Sequence, residues 1–442
     1  LHAVNTYIAT TVMPSVVREI GGLDFYAWAT TLFVTGSIIG AALTARLLAR
    51  FGPRGAYLTA AALFFAGTLL CSVAPSMPVM LAGRSVQGLG GGFLYALSYA
   101  LTRLVLPERL WGRTIGLVSA MYGIAALAGP AVGGIFAELG SWRAAFWSLL
   151  PFAALLALVA VRMLPRASDD AGRGTAIPFV QLTLLVASVL TVSAAGLSQT
   201  VGWQLAGLGA GLGLVALIAV VDAKASARLL PRRAFNPATA LGAVYALIAL
   251  LMLAMQPEIF VPYLLQVLHA QSPLWAGYFA ALMAIGWSLA SLISGRWQEA
   301  HGNRLLPAGT ALTLCGLGLL TAFLPHQSGG EWAQLSAICL GILLVGFGIG
   351  LAWPSVVTRV YASAPAGEED LATGGMTTVQ LFAIAFGTAL AGMLANMAGI
   401  ADPGGAEGAS RAALLLGLAF ALAPALGLLV ALRVVRLTGG RR

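Results

Sequence analysis

The sequence predicts an all-α polytopic membrane protein, built as two six-helix bundles with two extra transmembrane helices between them. Three observations predict it: an apolar composition almost empty of charge, a one-sided placement of the basic residues, and a loop sequence repeated at a fixed distance. Of 442 residues, 59% are hydrophobic and 9% charged, and 24 basic residues face 15 acids. A soluble domain is about 25% charged, and no soluble core hides so much apolar surface behind so few charges. The same figures exclude disorder, and three cysteines exclude a secreted disulfide scaffold. The net charge of +9 forms no dense basic patch, so nucleic acid is not expected as a partner.

In chain order the candidate spans fall at roughly 1–18, 26–48, 55–74, 77–102, 110–137, 143–163, 177–197, 200–221, 238–268, 272–295, 305–324, 333–358, 371–397 and 410–435. A membrane helix needs about 20 mostly apolar residues, and outer-membrane strands would be about 10 residues with alternating polarity. The first run is short, without an initiator Met, a basic n-region or an A-x-A site, and reads as a clipped span and not as a signal peptide. The even-numbered connections and the C-terminal tail hold 20 of the 24 basic residues, among them Arg46, Arg50, Arg54, Arg228, Arg232, Arg304 and Arg359. The odd-numbered connections hold only Arg18, Arg143 and Arg411, and Arg84 lies inside span four. That asymmetry fits fourteen spans with both termini cytoplasmic. Trp111, Trp142, Trp203, Trp275, Trp297 and Trp332 sit near span ends, as interfacial aromatics do. Trp287 and Trp353 lie deeper, facing a cavity or packing between helices.

Residues 45–54 and 295–304 share Arg46/Arg296, Gly52/Gly302 and Arg54/Arg304 at an offset of 250, each pair joining two spans on the cytoplasmic side. Parallel repeats are a transporter design. The expected division is an N-terminal bundle at 1–165, two inserted helices with their linkers at 166–236, and a C-terminal bundle at 237–442.

From Trp28, "WATTLFVTGSIIGAALTARLLARFGPR" resembles the second helix and the G-x-L-x-D-R-x-G-x-R loop of the fourteen-helix drug:proton antiporter family of the major facilitator superfamily. "RSVQGLGGG" from Arg84 resembles that family's fourth-helix R-x-x-Q-G motif, and "GPAVGG" at Gly129, Pro130, Gly133 and Gly134 resembles its antiporter motif. "SWRAAFW" from Ser141 is similar to the start of helix six, and "VPYLLQVLHAQSPLWAG" from Val261 to helices nine and ten. The resemblance covers nearly the whole chain. It implies the major facilitator fold and a proton-coupled exporter of amphipathic or cationic small molecules in a bacterial-type inner membrane. The same fold also carries exporters of siderophores, lipids or other metabolites. In the family the matching Arg84 is buried and linked to proton transfer, and Arg46, Arg50, Gly52, Arg54, Glu299 and Arg304 belong to the conformational loop motifs. Three positions depart from the pattern, the first being Ala45 where the loop motif has Gly. The loop acid is replaced by Ala49, although the second copy keeps Glu299, and Asn5 stands where the first helix carries Asp. Asn cannot carry a proton; either coupling proceeds differently or Asn5 replaces an acid.

Fourteen of the acids lie in connections or at span ends, and only Glu258, in "MQPEIFVP", lies well inside a span. A charge at that depth costs roughly 2.5–3.5 kcal/mol on insertion scales, so such residues usually carry function. Pro257 and Pro262 remove backbone donors on both sides of it and are expected to kink the helix. Glu258 is therefore the expected proton-coupling acid, the resemblance adds Arg84 to it, and Asn5, Gln87, Gln256, Trp287, Trp353 and Gln380 are expected to line a substrate cavity. Gln87 lies one turn after Arg84, able to share its hydrogen bonds. Glycines at i and i+4 beside Pro130 suit either a rocking bend or static packing. Four histidines and three cysteines show no metal-ligand spacing, and no Walker, G-x-S-x-G or H-E-x-x-H sequence occurs. The chain is thus read as a monomer among membrane lipids, using protons and a small-molecule substrate, with no metal, no cofactor and no enzymatic activity. Loss of the loop acid at Ala49 is expected to bias the resting protein toward inward-open states. Cysteine accessibility from outside checks this, and a predominantly outward-open resting state contradicts it.

Overall fold

A backbone in hydrocarbon must satisfy its own hydrogen bonds, so helix runs wherever the apolar stretches allow. The computed structural model describes residues 1–105, 111–165 and 177–439, with side chains at all of these except 101–105, 111–120, 122, 299, 300 and 439. Among the described residues there is helix and no strand. The elements are α1 (His2–Ile20), α2 (Tyr26–Ser72), α3 (Met77–Val105), α4 (Trp111–Glu138), α5 (Trp142–Trp147), α6 (Leu149–Met163), α7 (Phe179–Ala195), α8 (Val201–Lys224), α9 (Ala240–Ala254), α10 (Val261–His269), α11 (Pro273–Phe323), α12 (Trp332–Ser363), α13 (Glu369–Met397) and α14 (Gly405–Gly439). Every candidate span is occupied by helix in the described residues. Nine helical stretches among them are long and apolar enough to cross a membrane. Gly123–Glu138 and Phe179–Ala195 are apolar but shorter. Helices α1 and α3 fall outside that group; they carry the buried polar residues Asn5, Thr11, Arg84 and Gln87.

Two interruptions follow directly from residue type. Gly52 has φ 65° and ψ 176°, which L side chains rarely adopt, and Pro53 follows it, so α2 folds as two arms at 26–51 and 53–72. Pro257 and Pro262 end α9 at Ala254, force a 3-10 turn at Gln256–Phe260 and restart helix at Val261. Its counterpart in the second loop, Gly302, keeps an ordinary φ, and α11 runs from Pro273–Gln298 into His301–Phe323.

The chain forms two compact units, Leu1–Ile177 with Ser272–Tyr278, and Pro178–Gln271 with Phe279–Arg442. In the first, α3 threads between the arms of α2 with almost no space. A Cβ built at Gly88 or Gly92 falls 2.2 Å from Phe33 O and 2.1 Å from Ser37 O of the first arm. One built at Gly90 falls 2.3 Å from Phe64 N of the second arm, and one at Gly67 falls 2.2 Å from Gln87 N. The second unit repeats this residue for residue. Gly83, Gly88, Gly90 and Gly92 correspond to Gly341, Gly346, Gly348 and Gly350 of α12, 258 positions on. Phe33 and Ser37 correspond to Met283 and Trp287, whose carbonyls lie 1.8 and 2.2 Å from a Cβ at Gly346 and Gly350. Phe64, Gly67 and Cys71 correspond to Thr313, Gly316 and Leu320, 249 positions on, facing Gly348, Val345 and Gly341.

Helices α7 and α8 pack within the second unit. Asn396 Nδ2 donates to Gly196 O at 3.1 Å, and a Cβ at Gly196 would lie 2.8 Å from Met393 Cα. At the other end buried Asp222 accepts from Leu229 N (2.6 Å), Leu230 N (3.2 Å) and Gln181 Nε2 (3.2 Å). The segment after α8 is then tied to α13 by Glu368, which accepts from Arg232 N at 2.8 Å and pairs with Arg228. In the first unit Glu19, at the end of α1, accepts from Trp142 Nε1 at 2.7 Å and ion-pairs with Arg143, whose Nη2 also donates to Ala74 O at 2.9 Å. The Arg143 hydrogen bond holds the Glu19 carboxyl below the usual carboxylate range.

Two outcomes are expected. Gly88→Leu and Gly346→Leu each separate a crossing pair, which costs about 1–3 kcal/mol or more, whereas Gly213→Leu, where a Cβ meets open space, leaves the thermal midpoint in detergent unchanged. The Glu19 pair stabilises above the normal carboxyl pKa and is lost as pH falls through the lowered one. Glu19→Gln therefore lowers the midpoint at pH 7 by about a degree or two, and the difference from the parent vanishes at acid pH.

Candidate functional site

In the first unit the polar groups collect where α1, α2 and α3 meet. Arg84 is 1% exposed. Its Nε donates to Ala29 O at 3.1 Å and its Nη1 to Gln87 Oε1 at 2.6 Å. Gln87 Nε2 donates in turn to Thr68 Oγ1 at 2.8 Å, and the Thr68 hydroxyl donates to Phe64 O at 2.7 Å. The guanidinium also lies over the Phe33 ring, 4.2 Å from its centroid, a cation–π contact strengthened by desolvation. His2 stacks on the same ring at 5.1 Å and on Tyr95 at 5.7 Å. No carboxylate forms an ion pair with Arg84 among the described residues. Among the described residues the buried cation is held by a carbonyl, an amide and the Phe33 ring, not by a counter-charge.

Asn5 is fully buried, and neither atom of its amide has a hydrogen-bond partner among the described residues. The hydroxyls of Thr31 and Thr35 on α2 share that condition. An unsatisfied buried polar group costs about 1–3 kcal/mol, so such groups mark places built for something other than packing. On α4, a Cβ at Gly129 would lie 2.3 Å from Tyr7 Cβ, one at Gly133 3.2 Å from Ile8 O, and one at Gly134 2.5 Å from Leu274 Cα. Pro130 lies 3.2 Å from the corresponding point at Gly277. These four residues bring α4 against α1 and against 272–278, the contact that both readings of the motif require.

In the second unit Glu258 occupies the 3-10 turn between α9 and α10 and is half-buried. No hydrogen bond or ion pair of its carboxylate occurs among the described residues. Two residues before it, buried Gln256 donates to Met252 O at 2.6 Å and accepts from Thr388 Oγ1 of α13 at 3.0 Å. A Cβ at Gly387 would lie 2.5 Å from Gln256 Cγ, so α13 is seated against the broken turn. Trp287 and Trp353 are half-buried neighbours, with ring centroids 5.4 Å apart at 54°. Gln380 is half-buried on α13. Arg84 and Glu258 thus fall in different units.

The loop motifs divide in the same way. Arg46 and Arg50 are exposed, with the Arg50 guanidinium 5.4 Å from the Phe51 ring centroid. The Arg54 backbone donates to Pro165 O at 3.3 Å. Arg304 is exposed, and the Glu299 side chain lies outside the described residues. What holds the second loop is Arg359, a residue that sequence reasoning counted only toward sidedness. It is 7% exposed, donating to Asn303 Oδ1 (2.6 Å), Ser355 O (3.1 Å) and Thr438 Oγ1 (3.2 Å). Ser355 Oγ donates to Gln298 Oε1 at 2.6 Å. Thr68 was likewise missed. A threonine in an apolar helix carries no local signal, and only the spacing it shares with Gln87 across α2 and α3 gives it a role.

The sequence profile of the Major Facilitator Superfamily matches residues 1–265. The chain belongs to the major facilitator superfamily. A probable multidrug-efflux transporter of Mycobacterium tuberculosis is 34% identical over 436 residues, covering 97% of this chain and 91% of the relative. An MFS-type transporter from an acurin A biosynthesis cluster of Aspergillus aculeatus is 27% identical over 413 residues, covering 89% and 72%. Among solved structures, a peptide transporter POT in complex with sulfate matches with a TM-score of 0.70 at 16% identity, covering 99% of this chain and 93% of that one. At that identity the likeness speaks for the fold alone. In the superfamily fold the chain is a multi-pass membrane transporter, with Arg84 and Gln87 in one half of the molecule and Glu258, Gln256, Trp287 and Trp353 in the other.

Proposed function

We propose that this transporter is a proton-coupled antiporter that exports amphipathic or cationic small molecules by alternating access. The observation that carries the reading is Glu258. It is the one acid well inside a span, set in a turn where two prolines have broken the helix, with a carboxylate that no described residue pairs. A group in that setting can take a proton from one side and exchange it for a cation from the other. The likeness to a mycobacterial protein named as a probable multidrug-efflux transporter supports the direction and the breadth of cargo. In this reading Arg84 works with Glu258 in coupling, and Asn5, Gln256, Trp287, Trp353 and Gln380 line the substrate path. Gln87 is read with them as a cavity residue that also supports Arg84, each end of its amide making one hydrogen bond, from Arg84 and to Thr68. Gly129, Pro130, Gly133 and Gly134 let α4 shift against α1, and Arg46, Arg50, Gly52, Arg54, Glu299 and Arg304 form the loop motifs of the conformational cycle.

The same reading makes the chain a fourteen-span member of the drug:proton antiporter family, with bundles at 1–165 and 237–442 and an insertion at 166–236. It places the chain in an inner membrane as a monomer with both termini cytoplasmic, acting as no enzyme. The sidedness of the basic residues supports the orientation. A second reading keeps the fold and makes the cargo a secreted metabolite, which the likeness to the acurin A cluster transporter favours. Resistance profiles compared with secreted metabolites separate the two. In proteoliposomes or energised vesicles, Glu258→Gln is expected to abolish proton-linked export of a lipophilic cation while leaving expression and the thermal midpoint intact. Full export by that variant refutes the assignment.

A further inference from the structure

The two units build the same three-helix crossing from different side chains at its centre. In the first, the points between the glycine contacts are Thr68, Arg84 and Gln87. At the corresponding positions in the second stand Leu317, Ile342 and Val345, which are 1%, 0% and 0% exposed. The surrounding backbone contacts match residue for residue. Hydrocarbon alone thus fills the equivalent crossing of the second unit, and burying a guanidinium that no described carboxylate pairs is costly. The polar set is not explained by packing.

Its hydrogen bonds run in one direction. The Thr68 proton goes to Phe64 O (2.7 Å), so Thr68 Oγ is left to accept, and it accepts from Gln87 Nε2 at 2.8 Å. That orients the amide with Oε1 toward Arg84 Nη1, 2.6 Å away. Without the Thr68 hydroxyl the amide loses its second tether, and only the Arg84 hydrogen bond still fixes its orientation, leaving side chain and guanidinium free to shift together. We propose that Thr68, acting through Gln87, is a positioning residue that holds Arg84 for the transport step, and that the three residues serve transport and not folding. The first part rests on the reading of Arg84 as a coupling residue; the second does not.

The test compares the full-length parent, Thr68→Val, Thr68→Ser and the triple variant Thr68→Leu/Arg84→Ile/Gln87→Val, which copies the second unit's crossing into the first. Export of a lipophilic cation from proteoliposomes is resolved into kcat and KM, and unfolding is followed in detergent. Thr68→Val is expected to lower kcat about tenfold, the size of one lost hydrogen bond, with KM within about twofold and the midpoint unchanged. Thr68→Ser, which keeps the hydroxyl, recovers most of the rate. The triple variant folds with a midpoint at or above the parent's and exports nothing. Parental kcat in Thr68→Val, equal impairment of Thr68→Val and Thr68→Ser, or loss of fold in Thr68→Val or the triple variant overturns the proposal. A parent that exports without a proton gradient defeats the antiport reading alone, because all variants are compared on whatever export the parent performs.

Discussion

Two helices can cross with their backbones in contact only where neither carries a side chain, and membrane helices associate chiefly through such packing because lipid offers no hydrophobic drive between them. In this transporter α3 passes between the two arms of α2, and α12 between the two stretches of α11, each touching backbone on both sides. Everything else in each unit is arranged around that contact. The glycines that permit it occupy two faces of one helix, which leaves the positions between them free to carry chemistry.

Those free positions are where the two units part. In the first they hold Arg84, Gln87 and, across the crossing, Thr68; in the second they hold Ile342, Val345 and Leu317. A guanidinium at the centre of a helix bundle is tolerated because a carbonyl, an oriented amide and the Phe33 ring replace water around it. The second unit has its polar chemistry elsewhere, in the broken turn at Glu258 and Gln256, where prolines open the backbone and α13 packs against the gap. One duplicated scaffold thus presents a buried cation in one copy and a half-buried acid in the other, at non-equivalent places.

The stabilising contacts of the connections also sit off the motifs that sequence resemblance singles out. Arg359, Asn303 and Ser355 hold the second loop, while Glu19 and Arg143 fasten the end of α1 to α5 and to Ala74. Asp222 caps the segment that returns from α8, and Glu368 ties that segment to α13. Charges near span ends read as topology markers in the sequence, and several of them are interhelical fasteners in the structure.

Composition, sidedness and punctuation by Gly52, Pro257 and Pro262 were legible in the chain alone, because hydropathy, positive-inside placement and missing backbone donors are local properties. So was the isolation of Glu258, which needs only a map of the acids. The loop repeat at offset 250 was visible as well, and the shared spacing of Gly83, Gly88, Gly90, Gly92 with Gly341, Gly346, Gly348, Gly350 stands in the sequence too. What that spacing means was decided by the tertiary structure, since a glycine shows what it is for only when the opposing backbone is known. The same holds for Thr68, Arg359 and the amide nitrogen of Gln87: the Thr68–Gln87 and Arg359–Asn303 bonds join residues 19 and 56 positions apart on different helices, and hydrogen-bond direction is a property of the assembled crossing.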